Sequence, residues 1–169
     1  GLLAEYQGLS LLLQAARQVL AAEPDVHFLL LGYTGEAYYR ALAEQLGIGA
    51  RVHLPGRVPY AAAPDYLALG HVAVAPKLSA TEGNGKVLNY MAMALPVVAF
   101  DTPVNRELLG DLGLYAPPGD VAALAAALLD TLRDERAARA LGTALRARAA
   151  AHFSWEQSAA RLEAVYRRL

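Results

Sequence analysis

The amino-acid sequence predicts an α/β fold in which helices cover both faces of a parallel β-sheet. Short apolar runs alternate with longer amphipathic patterns along most of the chain, and the connecting segments are only a few residues long. Strand–helix–strand units with short connections favour parallel strands joined by crossover helices. The chain has 169 residues, of which 56% are hydrophobic and 18% charged. With no internal repeat and no linker, these values predict one domain over residues 1–169.

The first half of the chain contains three predicted helices and two predicted strands. Six apolar residues share one helical face and predict the first helix: Leu9, Leu12, Leu13, Ala16, Val19 and Leu20. Pro24 ends this helix, and the continuous apolar run over residues 26–32 predicts a strand that is buried on both faces. Next come a helix over residues 36–46, a strand over residues 52–56 and a helix over residues 59–69.

The second half continues the alternation and then becomes entirely helical. Asp120 precedes a long segment rich in Ala and Leu and is typical of a helix N-cap. Ser154 followed by Gln157 predicts a capping box at the start of the last helix. The predicted order is strand 71–76, helix 87–95, strand 96–101, helix 105–110, strand 113–116, and helices over residues 120–133, 135–151 and 154–169.

Composition and charge exclude several classes of protein. The chain contains no cysteine, which excludes a disulfide framework, a thiolate zinc site and a cysteine nucleophile. Its four scattered histidines lack metal-ligand spacing, so no metal site is predicted. A net charge of −1 argues against nucleic acid as a partner. No apolar stretch approaches the ~20 residues that a membrane-spanning helix needs.

The two lysines of the chain, Lys77 and Lys86, flank the turn Gly83-Asn84-Gly85. This segment follows the predicted strand 71–76 and opens the next helix. Ligands of open parallel sheets bind outside the carboxyl ends of the strands. Glycines at a helix start expose backbone N–H groups, and the helix dipole favours an anion there. The pattern predicts a site for a phosphate-bearing ligand. The alternative is a solvated loop with two surface lysines.

Three further residues near this turn are candidate ligand contacts. Glu82 is the only acidic residue between Asp65 and Asp101. Because a carboxylate repels phosphate, Glu82 is better suited to bind hydroxyl groups, such as those of a sugar. Asn89 and Tyr90 lie one turn beyond Lys86 and either hydrogen-bond a ligand or pack. The segment lacks the residues of a P-loop and of a dinucleotide-binding fingerprint.

Several motifs resemble, in order, those of the nucleotide-sugar-binding domain of retaining GT-B glycosyltransferases of family 4. The turn Glu82-Gly83-Asn84-Gly85 is similar to the family's Glu-Gly-Phe-Gly, and residues 95–99 to its Gly-x-Pro-Val-Val-Ala strand. Residues 1–8 resemble its Gly-Arg-Leu…Lys-Gly turn, and residues 52–58 its Val-x-Phe-x-Gly-x-Val strand. Residues 115–120 resemble its Pro-Gly-Asp turn. The resemblance implies a Rossmann-like domain, the C-terminal half of a GT-B enzyme.

The resemblance also implies roles for individual residues. Glu82 matches a catalytic-site glutamate that binds sugar hydroxyls, and the backbone at Gly83, Asn84 and Gly85 would contact the sugar and its phosphates. Gly8 matches the second glycine of the first turn. The strand end at Arg57 and Val58 would lie near the base. The donor-binding residues expected overall are Gly8, Arg57, Val58, Lys77, Gly83, Asn84, Gly85, Lys86, Asn89 and Tyr90.

For the whole protein, the resemblance implies transfer of a sugar from a UDP- or GDP-type nucleotide sugar, with retention at the anomeric carbon and no cofactor. The acceptor, a glycan or lipid-linked glycan in polysaccharide biosynthesis, would bind an absent N-terminal domain. Gly1 has the character of a strand end, so we expect a fragment of a longer protein that is inactive alone. The expected location is cytoplasmic, and peripheral contact of the longer protein with a membrane is compatible with it.

Three departures from the family pattern are evident. Leu2 and Gln7 replace an Arg and a Lys that normally neutralise the diphosphate, and Lys77 and Lys86 are candidates to supply that charge. The family's second Glu falls on Asn89 or Tyr90. Ala94 stands where a Gly is usual. The alternative function is a non-catalytic nucleotide- or phosphosugar-binding module of the same fold. A receiver-like domain ranks below it, because that class needs an acidic cluster at the strand ends.

Overall fold

The computed structural model describes residues 1–168, which form five strands and eight α-helices. The strands are β1 (Phe28–Leu31), β2 (Val52–Gly56), β3 (Ala73–Ala75), β4 (Val97–Phe100) and β5 (Leu114–Ala116). The helices are α1 (Leu9–Ala22), α2 (Glu36–Gln45), α3 (Ala63–Leu67), α4 (Gly85–Ala92), α5 (Pro103–Leu109), α6 (Val121–Arg133), α7 (Glu135–His152) and α8 (Trp155–Tyr166). Each predicted element is present. The last helix was predicted to reach Leu169, which lies outside the described residues.

The strands pair in parallel, as the sequence predicts, but in two hydrogen-bonded groups. One group contains β1 and β2, with Phe28 opposite Val52. The other has the order β3-β4-β5, with Ala73 opposite Val97 and Val98 opposite Leu114. An isolated parallel bridge between Leu2 and Tyr33 extends the β1 edge. The carboxyl ends of the strands therefore point the same way within each group.

Helices pack on both faces of the sheet and create two apolar cores. Strand β4 separates them, since all four of its residues are buried and alternate between the two sides. Val98 and Phe100 pack into a core built with α1 and α6, whereas Val97 and Ala99 pack against α4 and α7. This two-sided burial is typical of a parallel sheet covered by crossover helices.

Two sequence-based expectations need correction. Strand β1 was expected to be buried on both faces, yet Leu29 is 37% exposed. Its side chain borders an open groove beside the edge of β1 that does not pair with β2. The helix expected over residues 59–69 begins only at Ala63, after a short 3₁₀ turn at Tyr60–Ala62. Pro64 explains this later start, because proline is tolerated in the first turn of a helix and not inside it.

Helix α4 ends in a turn that requires a left-handed residue. The Leu95 N–H donates to the Tyr90 carbonyl at 3.1 Å, and the Ala94 N–H donates to the Met91 carbonyl at 3.0 Å. These two bonds form a Schellman motif, whose left-handed position is usually glycine. Here Ala94 occupies that position with φ of 56°. Ala94 thus adopts, under strain, a backbone geometry that glycine adopts freely.

Within residues 1–168, which the structure describes, no helix is both long enough and apolar enough to cross a bilayer.

Candidate functional site

The carboxyl ends of β1, β2 and β3 border one cavity of about 680 Å³. Five of the predicted donor-binding residues line it: Arg57, Val58, Lys86, Asn89 and Tyr90. The other predicted site residues do not: Gly8, Lys77, Glu82, Gly83, Asn84 and Gly85 lie on the adjoining turn and loop. The loop over residues 101–105, which follows β4, is also outside its lining. The candidate site therefore combines a cavity with a loop at its edge.

Gly8 connects the first turn of the chain to the end of β3. It has φ of 75°, and a Cβ at this position would lie 1.9 Å from the carbonyl oxygen of Pro76. Both facts require glycine, because other residues rarely adopt this backbone conformation and none could fit against Pro76. The close approach places Gln7, which lines the cavity, next to the start of α4.

Lys77 is an internal part of the loop and is only 3% exposed. Its ammonium donates to the Gly83 carbonyl at 2.9 Å and forms an ion pair with Glu82 at 2.8 Å. The Tyr6 ring lies 5.7 Å from the same nitrogen. Lys77 thus holds the loop in shape, and its charge is already balanced by Glu82. This placement favours Lys86 over Lys77 as the cation for a diphosphate.

Lys86 lies in the first turn of α4 and lines the cavity. Its ammonium donates to the Gln7 side-chain carbonyl at 2.6 Å, which fixes its position without neutralising its charge. Burial, with repulsion from Lys77 as a smaller contribution, lowers the pKa of Lys86 to about 8. An anion that binds beside Lys86 would stabilise the charged form of this lysine, which burial destabilises in the free chain.

The N-terminus of α4 is open to a ligand. The Asn84 side chain does not cap the helix, and the positions where Gly83 and Gly85 would carry a Cβ face open space. An uncapped helix start leaves its first N–H groups available to an anion. Together with the Lys86 ammonium, these groups can form a phosphate-binding surface at the cavity edge.

Asn84 is buried and anchors the loop to the next strand end. Its side-chain N–H donates to the Asn105 side-chain carbonyl at 2.9 Å, and the Asn105 amide donates to the Phe100 carbonyl at 2.8 Å. The Phe100 carbonyl only accepts, so it fixes the orientation of both amides. Sequence reasoning missed Asn105; its position two residues after the Thr102-Pro103 helix start was the available signal.

Glu82 lies at the exposed edge of the loop, with a side chain that is 58% exposed. Its backbone N–H donates to the Ser79 hydroxyl at 3.1 Å, and one carboxylate oxygen binds Lys77. A carboxylate has about four lone-pair sites, so Glu82 keeps acceptor capacity for ligand hydroxyls while Lys77 fixes its direction.

Aromatic side chains that the sequence analysis did not select line the far side of the cavity. The Arg57 guanidinium lies 5.2 Å from the centre of the Tyr33 ring. The Tyr60 hydroxyl donates to the Asn89 side-chain carbonyl at 3.3 Å. Burial raises the pKa of Tyr90 to about 12, so its hydroxyl stays protonated as a donor. Tyr33 and Tyr60 each follow a strand end, which was the signal that could have identified them.

The sequence matches a known family of enzymes. The sequence profile described as Glycosyl transferases group 1 matches residues 1–134. A phosphatidyl-myo-inositol mannosyltransferase from Mycobacterium leprae is 31% identical over 162 residues, covering 95% of this chain and 42% of that protein. An O-antigen chain mannosyltransferase B from Escherichia coli is 33% identical over 146 residues, covering 83% of this chain and 38% of that protein. The curated relatives are thus more than twice as long as this chain.

Solved structures have the same fold. A sucrose-phosphate synthase from Thermosynechococcus elongatus superposes with a TM-score of 0.88 at 28% identity, over 99% of this chain and 43% of that one. HepE from Anabaena, in complex with UDP, superposes with a TM-score of 0.89 at 21% identity, over 100% of this chain and 47% of that one. The predicted fold class is confirmed by these similarities.

Proposed function

We propose that this chain, which belongs to the group 1 glycosyl transferases, is the domain that binds the nucleotide diphosphate sugar in a longer glycosyltransferase. The chain spans 38% to 42% of the length of the curated relatives it matches. In the longer protein, transfer retains the anomeric configuration, and the acceptor is held by residues outside this chain. Peripheral membrane contact and a role in polysaccharide biosynthesis belong to the same proposal.

The observation that carries the proposal is the position of Lys86. Its ammonium lies at an uncapped helix start, in a cavity, and is held by a neutral partner, Gln7. Gln7 occupies the position where the family has a lysine. The contact between Gln7 and Lys86 suggests that the charge lost at position 7 is supplied from position 86. The diphosphate would then lie across the α4 N-terminus, with Lys86 as its cation.

The charged groups around the α4 N-terminus suggest where the sugar and the base of the donor bind. Glu82 accepts hydrogen bonds from sugar hydroxyls at the loop edge, where Lys77 holds it. The base lies on the other side of the phosphates, beside Arg57 and Tyr33. Asn89 and Tyr90 offer neutral hydrogen-bonding groups between the two. The donor thus runs from the loop, across the helix start, into the aromatic end of the cavity.

The relatives' names favour a GDP-mannose donor over the alternatives. Two of the relatives are named as phosphatidyl-myo-inositol mannosyltransferases and one as an O-antigen chain mannosyltransferase, and a fourth, from Corynebacterium glutamicum, is named as a GDP-mannose-dependent mannosyltransferase. HepE, in contrast, has been solved with UDP. GDP-mannose is therefore the first donor to test, and UDP-glucose the second.

The proposal is tested by calorimetric titration of the 169-residue chain with GDP, UDP, GDP-mannose and UDP-glucose. We expect saturable binding of one diphosphate series and stabilisation of the chain against heat, by roughly 2.7 kcal/mol at a hundredfold excess over Kd. Inorganic pyrophosphate serves as the control for charge alone. Absence of binding, or equal binding of all ligands including pyrophosphate, would contradict a nucleotide-sugar site.

Catalysis is tested separately. The longer protein should transfer mannose from GDP-mannose to a lipid or glycan acceptor, and NMR of the product should show the α-configuration of the donor. The 169-residue chain should transfer none. Robust turnover by this chain, or an inverted product, would overturn the corresponding part of the proposal. Binding without transfer in the longer protein would instead support the non-catalytic alternative.

A further inference from the structure

We propose that Asn105 is a positioning residue for donor binding. It holds the Asn84 side chain away from the start of α4 and so keeps that helix start open to a diphosphate. This role rests on the proposed function, since the same helix start is the proposed diphosphate site. Three features of the chain support it: a capping residue that does not cap, a chain of hydrogen bonds that holds its side chain, and a buried carbonyl oxygen without a partner.

Asn84 is an exception among the helix starts of this chain. Asparagine is one of the residues that cap helices best. In the described residues 1–168, four other helices begin after a Ser, Thr or Asp whose side chain accepts the N–H three residues later: Thr102, Asp120, Asp134 and Ser154. The Asn84 side chain makes no such bond. The residue type would permit a cap at α4, so its surroundings must prevent it.

The backbone conformation of Asn84 does not prevent capping. Asn84 has φ of −115° and ψ of 61°. Asp134 has nearly the same values, φ of −112° and ψ of 74°, and its carboxylate accepts the Ala137 N–H at 2.9 Å. A side chain on this backbone can therefore reach the first turn of its own helix. A different side-chain rotamer is enough for Asn84 to cap α4.

Asn105 fixes the rotamer that Asn84 adopts. The Asn84 side-chain N–H donates to the Asn105 side-chain carbonyl at 2.9 Å. Asn105 is only 1% exposed, and its own side-chain N–H donates to the Phe100 carbonyl at 2.8 Å. Its backbone N–H donates to the Thr102 hydroxyl at 3.3 Å, which fixes it in the first turn of α5. Asn84 is thus held inward by a residue that is itself held at two points.

The inward position leaves one atom of Asn84 unsatisfied. Within residues 1–168, its side-chain oxygen Oδ1 is the one buried side-chain polar atom that lacks a hydrogen-bond partner. An unpaired buried acceptor is destabilising. If Asn84 turned outward, the same oxygen could accept the N–H of Lys86 or Val87, as an N-cap does. The bond to Asn105 therefore opposes a conformation in which this oxygen would be satisfied.

The two positions of Asn84 have opposite effects on a ligand. Turned inward, the side chain leaves the helix start uncapped beside the Lys86 ammonium. Turned outward, its carbonyl oxygen would accept the N–H groups that phosphate oxygens need, and it would bring a partial negative charge toward the diphosphate. Removal of the Asn105 side chain should therefore let Asn84 cap α4 and should weaken diphosphate binding.

The experiment measures GDP and UDP binding by calorimetry for the parent chain, Asn105→Ala and the double variant Asn84→Ala/Asn105→Ala. The single variant releases the Asn84 side chain, whereas the double variant also removes it. Thr131→Ala deletes a buried polar side chain of α6, far from the site in sequence, whose hydroxyl donates to the Ala127 carbonyl. It is the control for a general loss of stability and should bind as the parent does. Crystal structures of the ligand-free variants show the direction of Asn84.

We expect Asn105→Ala to bind the nucleotide about fivefold more weakly than the parent, and the double variant to recover most of this loss. In the ligand-free Asn105→Ala structure, Asn84 Oδ1 should lie about 3 Å from the backbone nitrogen of Lys86 or Val87. If Asn105→Ala does not fold, Asn105→Leu removes the same hydrogen-bond acceptor and fills the space.

Equal losses in the single and the double variant would overturn the proposal, because Asn105 would then act only by anchoring the loop. An Asn84 side chain that stays inward in ligand-free Asn105→Ala would overturn it as well. This second result needs no ligand and is therefore separate from the proposed function. A parent chain that binds neither GDP nor UDP would contradict the proposed function, and the positioning role with it, even if Asn84 turns outward in the variant.

Discussion

The two ends of α4 differ in how their backbone groups are satisfied. At its start, Asn84 provides no side-chain cap, and the two neighbouring glycines border open space. At its end, the two hydrogen bonds of the Schellman motif at Ala94 satisfy backbone carbonyls of the last turn. Gly142 of α7 packs on that turn. A Cβ added at this position would lie only 1.9 Å from the Ala94 carbonyl oxygen. One end is open and charged, and the other is closed and packed.

The two ends of this eight-residue helix therefore have different roles: the packed end contributes to stability, and the open end is available to a ligand. Unpartnered N–H groups at a helix start lower stability unless something binds them. The chain satisfies the end that no ligand is expected to reach and leaves open the end beside the cavity. Substitutions at the packed end should therefore change stability, and those at the open end should change ligand affinity.

The largest expected effect is at the packed end. Gly142→Ala should destabilise the chain by about 3 kcal/mol, because the added methyl group collides with the backbone of Ala94. In a free helix the same change would stabilise by about 1 kcal/mol. Chemical denaturation measures the difference, and Thr143→Ala on the exposed side of α7 is the control. A more stable Gly142→Ala chain would mean that α7 does not pack here.

The next effect is at the open end. Lys86→Met should weaken nucleotide diphosphate binding by about tenfold to a hundredfold, since a charge-assisted bond to phosphate contributes roughly 1.5–3 kcal/mol. Calorimetry with GDP measures it. Arg17→Met, which removes one exposed positive charge from α1, is the control for net charge and should bind as the parent does. An equal loss in the two variants would indicate long-range attraction only.

The same variant should not lose stability at neutral pH. The pKa of Lys86 in the folded chain is lowered to about 8, below its ordinary value, so the unfolded chain binds more protons between the two values. The charged lysine therefore destabilises the fold below pH 8, and this effect fades as the pH rises toward about 10.5. Lys86→Met should melt at the same or a higher temperature than the parent at pH 7, with a smaller difference at pH 10.

A third effect distinguishes the loop from the helix start. Glu82→Gln should weaken binding of the sugar nucleotide by about tenfold, because a neutral amide replaces a charged acceptor of hydroxyl bonds. Binding of the free nucleotide diphosphate should stay nearly unchanged. Titrations with GDP-mannose and GDP measure the two affinities. A similar loss for both ligands would show that Glu82 acts only through the shape of the Lys77 loop.

The smallest effect is at the packed end again. Ala94→Gly should stabilise the chain by about 1 kcal/mol, because glycine adopts the left-handed conformation of a Schellman turn without strain. Ligand affinity should not change. Thermal denaturation checks the stability. A loss of stability would mean that the Ala94 side chain contributes packing that outweighs its backbone strain.

Sequence patterns predicted the order of the elements because each helix and strand carries its own periodicity. β2 was predicted with its observed bounds, Val52–Gly56, and the caps at Asp120 and Ser154 were confirmed. The burial expected for β1 was wrong at Leu29, which is 37% exposed, since burial depends on what packs against each face of the strand. That information is not contained in the residues of β1 themselves.

The location of the candidate site could be predicted from the sequence, but the contacts between its side chains could not. The glycine turn at a strand end identified the loop, and the comparison with the family identified the missing cations. The two lysines looked equivalent in the sequence. Only the folded chain distinguishes Lys77, paired with Glu82, from Lys86, bound to Gln7 across 79 positions of sequence. Contacts of this length have no local signature.

The central claim, that the Lys86 ammonium holds the diphosphate, is tested most directly by the pH dependence of GDP binding. The pKa of Lys86 is about 8 in the free chain, and a bound anion would raise it, so binding takes up a proton above pH 8. GDP affinity is measured by calorimetry from pH 7 to 9 for both the parent chain and Lys86→Met. The ratio of the two affinities at each pH cancels the effect of the titration of GDP itself. We expect the parent's advantage over Lys86→Met to shrink by up to about tenfold between pH 7 and 9, with about fivefold of that change between pH 8 and 9. A constant ratio of the two affinities across this range would contradict the claim.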